Sequence, residues 1–377
     1  MSLAIVDARE WQNLLDLRTG KKAQDESDQT LMLRGLLKRH PYPGDVDIES
    51  NRWVTDTALD LIREYDPQLA CIFYSHQYFA GRYSPMSDER RKRMFENVFA
   101  EVERFISQSR CTPVIIGTGD MIPLEGEVDL SKVDGIAISS HWSARYAGLH
   151  RGSARDLEYV ASLPAIEKVV PRDEWIGLFP GASHRADRIP EYLLVAREGW
   201  SFITTGTPMR KPLRIPGRNF QIPLSSPLGK ARTLTEIRSM IRTNADDKKI
   251  ALIILEGVGM RDFLTPYAPC ANGVDWYYYE PADGQYLTVS TGAHQVFAHP
   301  SGYEYHDEID AKREYPFSGY FLDIPPGTLA SDYPGKSIAV GNHSMFVHMI
   351  FGADICVECF ARNLYNQGCL GVIHRFR

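Results

Sequence analysis

The chain has 377 residues, with 42 Lys+Arg against 48 Asp+Glu for a formal charge of −6, and it is 44% hydrophobic and 24% charged. At roughly 150 residues per domain this is one large domain or two ordinary ones, and the composition excludes disordered, collagen-like and coiled-coil designs. Mild acidity speaks against nucleic acid as a general partner, and six cysteines are too few for a disulfide scaffold.

No run approaches the roughly 20 apolar residues that span a bilayer. The opening residues Met1-Ser2-Leu3-Ala4-Ile5-Val6-Asp7 lack the cationic flank and apolar block of a signal peptide. The expectation is a cytoplasmic protein that engages neither membrane nor nucleic acid.

The first fifty residues read as two helices and a loop. Residues 8–15 and 31–37 carry apolar side chains at helical spacing, and His40-Pro41-Tyr42-Pro43-Gly44 stops the second helix. From Trp53 the pattern alternates helix with strand. A helix over 57–65 leads to a buried strand over 69–74 and a loop. A long amphipathic helix follows over 88–107, its inner face made by Met94, Phe95, Val98, Phe99, Val102, Phe105 and Ile106, and then a strand over 113–117. This succession predicts an α/β fold, a mixed, mostly parallel sheet flanked by helices.

Farther along, 135–139 alternates as a strand, 154–163 reads as a helix and 166–170 as a strand. Residues 192–196 and 200–203 read as a strand pair turning at Glu198-Gly199. The Gly- and Pro-rich stretch 204–229 reads as irregular and as a boundary. After a helix over 234–242, the continuous apolar run 250–255 predicts a central strand covered on both faces. Residues 260–335 read as loops with short strands, including a strand at 287–291. The end reads as strand (336–341), helical segments (344–366) and a last strand (370–374). The division expected is a helical segment over 1–49, an α/β region over 50–230, and a C-terminal α/β region over 231–377 that completes the sheet or continues a single domain.

Chemistry-bearing residues gather after the strands. Asp120 follows Gly117-Thr118-Gly119, His141 follows the 135–139 strand, and Glu256 follows the 250–255 strand. In an open α/β sheet the crevice beyond the carboxyl ends of parallel strands is the common ligand position. Two carboxylates and an imidazole there suit acid–base work or a mononuclear metal. No acid interrupts the chain between Glu198 and Glu236, where Arg210, Lys211 and Arg214 occur. That makes an anion site or, equally, a solvated basic arm. His294, His299 and His306, with Asp307, Glu308 and Asp310, form the densest His/carboxylate group, of a ligand type that suits zinc, iron or manganese. Their spacing fits no strict motif, and solvated loop histidines are the competing reading. Cys356-Val357-Glu358-Cys359 is a lone C-x-x-C in what reads as an apolar helix, so buried thiols are the simpler reading. Asp88-Glu89-Arg90-Arg91-Lys92-Arg93 reads as the wet first turn of its helix, acids at the favourable end of the dipole.

Several of these elements come in an order that resembles a known family. Ala80-Gly81-Arg82-Tyr83-Ser84-Pro85 precedes the long helix, and Val114-Ile115-Ile116-Gly117-Thr118-Gly119-Asp120-Met121 follows it. Then come Val169-Val170-Pro171-Arg172-Asp173-Glu174 and Ala186-Asp187-Arg188-Ile189-Pro190. Residues 50 to about 205, about 40% of the chain, resemble the second half of type I phosphodiesterases and phosphonoacetate hydrolases of the alkaline phosphatase superfamily. The resemblance implies an alkaline phosphatase-like core and two metal ions, commonly zinc, held by Asp and His. The sequence departs from it at the ligands. Ser75-His76-Gln77-Tyr78-Phe79-Ala80-Gly81 has no carboxylate, and Thr118 and Gly119 stand where an Asp-His pair belongs. Ile250–Leu255 followed by Glu256-Gly257 resembles the superfamily's first metal-bearing strand in a permuted order, with Glu256 for its Asp and Thr288, Ser290 or Thr291 as nucleophile candidates.

Taken together, these features imply a hydrolase-like protein that acts on or binds a small anionic phospho- or phosphono-compound. The alternative is a non-catalytic binding or oligomeric subunit derived from that fold. A single divalent ion (Zn, Mn or Fe) is the cofactor the residue types allow, and a homo-oligomer is the expected assembly.

Overall fold

The computed structural model describes residues 3–6, 13–16, 21–22, 27–44, 47–139, 145–179, 189–202, 211–281, 283–295, 327–342, 351–358 and 372–373. In chain order the elements are β1 (Leu3–Val6), β2 (Asn13–Asp16), β3 (Lys21–Lys22), α1 (Asp28–Arg39), α2 (Glu49–Tyr65), β4 (Leu69–Tyr74), α3 (His76–Tyr83), α4 (Asp88–Ser109), β5 (Thr112–Gly117), β6 (Met121–Pro123), β7 (Gly126–Val128), β8 (Ile136–Ser139), β9 (Tyr146–His150), α5 (Ala154–Ser162), β10 (Ile166–Pro171), α6 (Arg172–Ile176), β11 (Tyr192–Ala196), β12 (Trp200–Phe202), β13 (Arg214–Pro216), β14 (Gln221–Ser225), α7 (Leu234–Thr243), β15 (Ile250–Leu255), β16 (Ala268–Ala271), β17 (Gly273–Val274), β18 (Tyr277–Tyr278), α8 (Asp283–Thr291), β19 (Ser337–Gly341), β20 (Ile355–Glu358) and β21 (Val372–Ile373).

Ten strands form the main sheet in the order β16-β14-β5-β15-β4-β19-β20-β1-β2-β3. The six from β5 to β1 all run parallel, while β14 at one side and β2 at the other run against them, and the edge strands β16 and β3 pair antiparallel to β14 and β2. The fold is thus mixed α/β around a large, mostly parallel sheet. Strands from residues 1–49, 50–230 and 231–377 all join it, so none of the three stretches completes the sheet alone.

The central run behaves as its apolarity requires. All six residues of β15 are buried. Because successive side chains point to opposite faces, Leu252 and Ile254 enter one core with Ile237 and Ile241 of α7 and Tyr286 and Leu287 of α8. Ala251, Ile253 and Leu255 enter another with Leu33 of α1, Val54 of α2 and Val98 and Phe105 of α4. Each fully buried Leu or Ile contributes on the order of 1.5–3 kcal/mol, so β15 is a principal anchor of both layers. α4 buries Met94, Phe95, Val98, Phe99, Val102 and Phe105, with Ile106 at the margin. Ser87 caps its N-terminus by accepting the Arg90 amide. A second, five-stranded antiparallel sheet, β10-β11-β9-β8-β21, has its own core, with Leu149, Val160 and Leu194.

Several local readings are overturned. Overlapping the end of 8–15, Asn13–Asp16 is strand β2, because pairing with β1 overrides a short helical pattern. Residues following β4 form helix α3 rather than a loop. Glu198-Gly199 does not make a hairpin: β11 pairs with β9 and β10, whereas β12 runs parallel to β7. Gly199, at φ +84 against the Glu125 side chain, redirects the chain between them. The stretch 204–229 contains β13 and β14, the latter inside the main sheet. Residues 287–291 belong to α8, and Ile355–Glu358, placed within the C-terminal helical segments, is strand β20. The remainder of those segments lies largely outside the described residues. Among the described residues no helix is long and apolar enough to cross a membrane.

Candidate functional site

Four parallel neighbours, β5, β15, β4 and β19, end on one edge, and the residues that follow them meet there. The Ser75 amide donates to Asn342 Oδ1 at 2.8 Å, and Asn342 Nδ2 donates to Ser50 Oγ at 2.9 Å. The Gly257 amide donates to Thr118 Oγ1 at 2.9 Å, and the Gly119 amide to the Val258 carbonyl at 3.1 Å. Gln77 Nε2 bridges to the Glu256 carbonyl at 2.7 Å. The turn at Gly257 has φ +71 and lies against Tyr78 of α3. This lattice fixes the strand ends relative to one another.

Asp120 stands at the more open part of the edge. Its amide donates to Asn219 Oδ1 at 2.8 Å, and Asn219 Nδ2 returns a bond to its carbonyl at 3.1 Å. Its carboxylate meets Arg261 Nε at 3.3 Å, and that arginine is 60% exposed. Beside it Arg91, from the first turn of α4, pairs with Asp262. Arg214 on β13 donates to the Met121 carbonyl at 3.0 Å. Burial, and then the positive charges of Arg91 and Arg261, hold the Arg214 pKa below its ordinary value. Burial raises that of Asp262 against the pull of Arg91, with Asp120 adding to the rise. Three guanidiniums, those of Arg91, Arg214 and Arg261, therefore gather with the carboxylates of Asp120 and Asp262, and Asp88 also acts on Arg214.

Glu256 lies deeper. It is fully buried and accepts a hydrogen bond from the Tyr286 hydroxyl of α8. A second buried carboxylate, Glu280, accepts the Arg145 amide at 3.2 and 3.3 Å on its two oxygens. Arg82 of α3, also buried, donates to the Tyr78 hydroxyl at 2.6 Å. Burial raises the Tyr78 pKa; Arg82 opposes the rise, and both Glu256 and Glu280 add to it. Glu256 and Asp120 thus follow adjacent parallel strands but engage different partners, one buried and one near solvent.

Of the other sequence-predicted residues, Arg214 takes its place in the arginine group, whereas Lys211 pairs with Glu127 at 2.9 Å. His141, Arg210, His299 and His306 lie outside the described residues. His294 stacks on Tyr279, centroids 6.1 Å apart, and burial lowers its pKa. Thr288 and Thr291 donate to carbonyls one turn back, Gly284 and Leu287, and Ser290 accepts the Leu329 amide. Such bonds are the ordinary use of hydroxyls on a helix, and they correct the strand setting given to these nucleophile candidates. Cys356 is a buried strand residue. Sequence reasoning missed Arg91, Arg261, Glu280, Arg145, Tyr78 and Arg82 as members of this edge. A charged residue beside an apolar strand end was the signal for Arg261 alone.

The dimetal set that the family resemblance implies does not fit these residues. A side chain at Gly119, whose φ is +122, would place its Cβ 2.3 Å from Asn219 Cγ, so no ligand can stand there. The Thr118 hydroxyl is already an acceptor for Gly257, and α3 offers no carboxylate. Among the described residues no three His, Cys, Asp or Glu side chains come together as a metal group.

No protein-family model matches the sequence, and no curated protein does. Among solved structures, the chain is similar to phosphonoacetate hydrolase from Sinorhizobium meliloti 1021, determined in complex with phosphonoformate. The identity is 15% and the TM-score 0.37, over 57% of this chain and 62% of that one, so the chain spans less than two thirds of that protein's length.

Proposed function

We propose that this protein binds a small anionic phospho- or phosphono-compound at the carboxyl edge of its main sheet. The observation that carries the reading is the gathering of Arg91, Arg214 and Arg261 beside Asp120 and Asp262, close enough for Arg91 and Arg261 to join burial in lowering the Arg214 pKa against the pull of Asp262 and Asp88. Guanidinium forks match the oxygens of phosphate and phosphonate groups, and partial burial strengthens the pairing. The site lies beyond the ends of parallel strands, where open α/β sheets hold ligands. Asn219 filling the space at Gly119 favours binding over the dimetal hydrolysis of the family that the sequence resembles.

Calorimetric titration with inorganic phosphate and with phosphonoacetate tests the reading. Arg214→Ala and Arg261→Ala should each weaken both ligands on the order of tenfold, the value of one charge-assisted hydrogen bond. Unchanged affinity in both variants sinks the site. Release of inorganic phosphate from phosphonoacetate, followed in the same samples, separates a hydrolase from a binding subunit.

A further inference from the structure

We infer that the oxyanion site continues into an apolar seat at Leu264 and Tyr267, so that its ligand is a phosphonate or phosphate ester carrying a flat apolar group rather than bare phosphate. This rests on the reading of Arg91, Arg214 and Arg261 given above and names the class of compound they hold. Among the described residues the exposed large hydrophobics are Leu31, Ile48, Leu213, Phe220, Leu264 and Tyr267. Apolar side chains scattered singly over a surface need no explanation. Leu264 and Tyr267 differ in standing together on one short loop between β15 and β16, at 55% and 40% exposure. That loop is the one that carries Arg261 and Asp262.

The loop is fixed along helix α4 from a charged end to an apolar one. Arg91, Phe95 and Phe99 recur at every fourth position of α4 and so share one stripe. Asp262 pairs with Arg91, whose guanidinium lies over the Phe95 ring at 5.6 Å from its centroid. The next loop residue, Phe263, is buried and meets Phe99 edge-on, with centroids 5.3 Å apart. Tyr267 meets Phe263 edge-on in turn at 5.4 Å, and its hydroxyl donates to the Met260 carbonyl at 3.1 Å. Met260 is the chain neighbour of Arg261, their Cα atoms about 3.8 Å apart. The Tyr267 ring is thus held next to the residue that bears the guanidinium before any ligand arrives, and little rotamer freedom is left to lose on binding. A ligand gripped by guanidiniums through its phosphoryl oxygens leaves its remaining substituent outside the fork. Leu264 and Tyr267 supply exposed apolar surface on the same loop, and an aryl group suits a tyrosine ring by edge-on or offset stacking.

Calorimetric titration of the full chain with inorganic phosphate, methylphosphonate and phenylphosphonate tests the seat. The two phosphonates share a head group and differ in the apolar substituent, so the ratio of their affinities reads the seat alone. Phenylphosphonate should bind about fivefold tighter than methylphosphonate, the scale of one aromatic contact. Leu264→Ser and Tyr267→Ala should each cut that ratio by about half or more. A general loss of affinity through displaced arginines cancels in the ratio. If Tyr267→Ala does not fold, Leu264→Ser, at an exposed position, decides. Equal affinity for the two phosphonates, with phosphate bound, overturns the seat and leaves the oxyanion reading standing. A phenyl preference that survives both variants puts the apolar contact elsewhere and also overturns the seat. Were the patch a contact between copies of this chain, the sedimentation mass would fall in Leu264→Ser without any phenyl preference, and that result overturns the seat too. Failure of all three ligands to bind overturns the oxyanion reading itself, and the seat with it.

Discussion

Two pairs of carboxylates lie near one sheet edge and differ in how much water they keep. Glu256 and Glu280 are buried, the one accepting from the Tyr286 hydroxyl and the other from the Arg145 main-chain amide. At the Asp120–Asp262 group the pairs reach solvent, and Arg261 is mostly exposed. The same chemistry therefore serves opposite ends. Removing one partner from a buried pair strands the other in low dielectric, which costs about 3–5 kcal/mol. A half-exposed pair is worth about 0–1 kcal/mol, so its arginines can exchange a carboxylate for an incoming anion at little expense to the fold.

The largest effect expected from this contrast is at Glu280. Glu280→Ala should destabilise the protein by about 3–5 kcal/mol, read from the urea midpoint at constant m. A loss under about 1 kcal/mol would place Glu280 with the exposed group and dissolve the distinction. Next is Gly259→Ala. A Cβ there falls 2.2 Å from Asp120 Cγ, so the carboxylate or the 257–259 turn must move. Overpacking of this kind costs about 1–3 kcal/mol, and phosphate binding should tighten as Asp120 leaves Arg261 and no longer competes for it. A variant with wild-type stability and affinity would show that the edge is looser than its geometry. Smaller again is Arg261→Ala, which should cost no more than about 1 kcal/mol of stability. Its phosphate affinity should fall and become less dependent on salt, since one screened charge is gone.

How much of this was legible in the sequence follows from the range of the interactions. Ile250–Leu255 announces a two-sided buried strand by six consecutive apolar residues, and α4 announces its inner face by spacing. Both signals are local. The fold class followed from such stretches. By contrast β14 enters the main sheet despite Pro223, which faces Pro269 across the pairing, so proline chemistry argued against a strand that tertiary pairing allows. α8 hides for the opposite reason: Tyr286, Leu287, Thr288, Val289 and Ser290 are all buried, so no polar face marks a helical period. Site residues were harder still. Arg91 looks like one more wet charge in a helical turn, and its partner Asp262 lies 171 residues away. Glu280 sits in a tyrosine-rich stretch, and Arg145 is 135 residues before it. Asp120, Glu256 and Arg214 were visible because strand ends and one-sided charge are written locally; their partners were not.

A third assembly, at Asp60, lies between the two extremes and supplies the smallest prediction. Asp60 is buried on α2 and receives Arg39 at 3.1 Å and His40 Nε2 at 2.7 Å from the end of α1, together with Arg63 from its own helix. Burial lowers the His40 pKa from 6.5, Arg39 and Arg63 add to the lowering, and Asp56 and Glu64 oppose it. Desolvation and two guanidiniums thus outweigh the acids, so His40 resists protonation in the folded state. The sign follows from linkage: the unfolded chain binds the proton more readily, so stability rises with pH across this titration. The contribution is fully present above the unfolded value, about 6.5, and is lost as pH falls through the folded one. Urea midpoints of the wild type should decline from about pH 7 towards pH 5, and His40→Gln should flatten part of that slope. Were His40 held instead as an imidazolium by Asp60, its pKa would be raised and acid would stabilise. A wild-type midpoint that climbs as pH falls through this window, and loses that climb in His40→Gln, would assign the Asp60 cluster to the tightly paired kind.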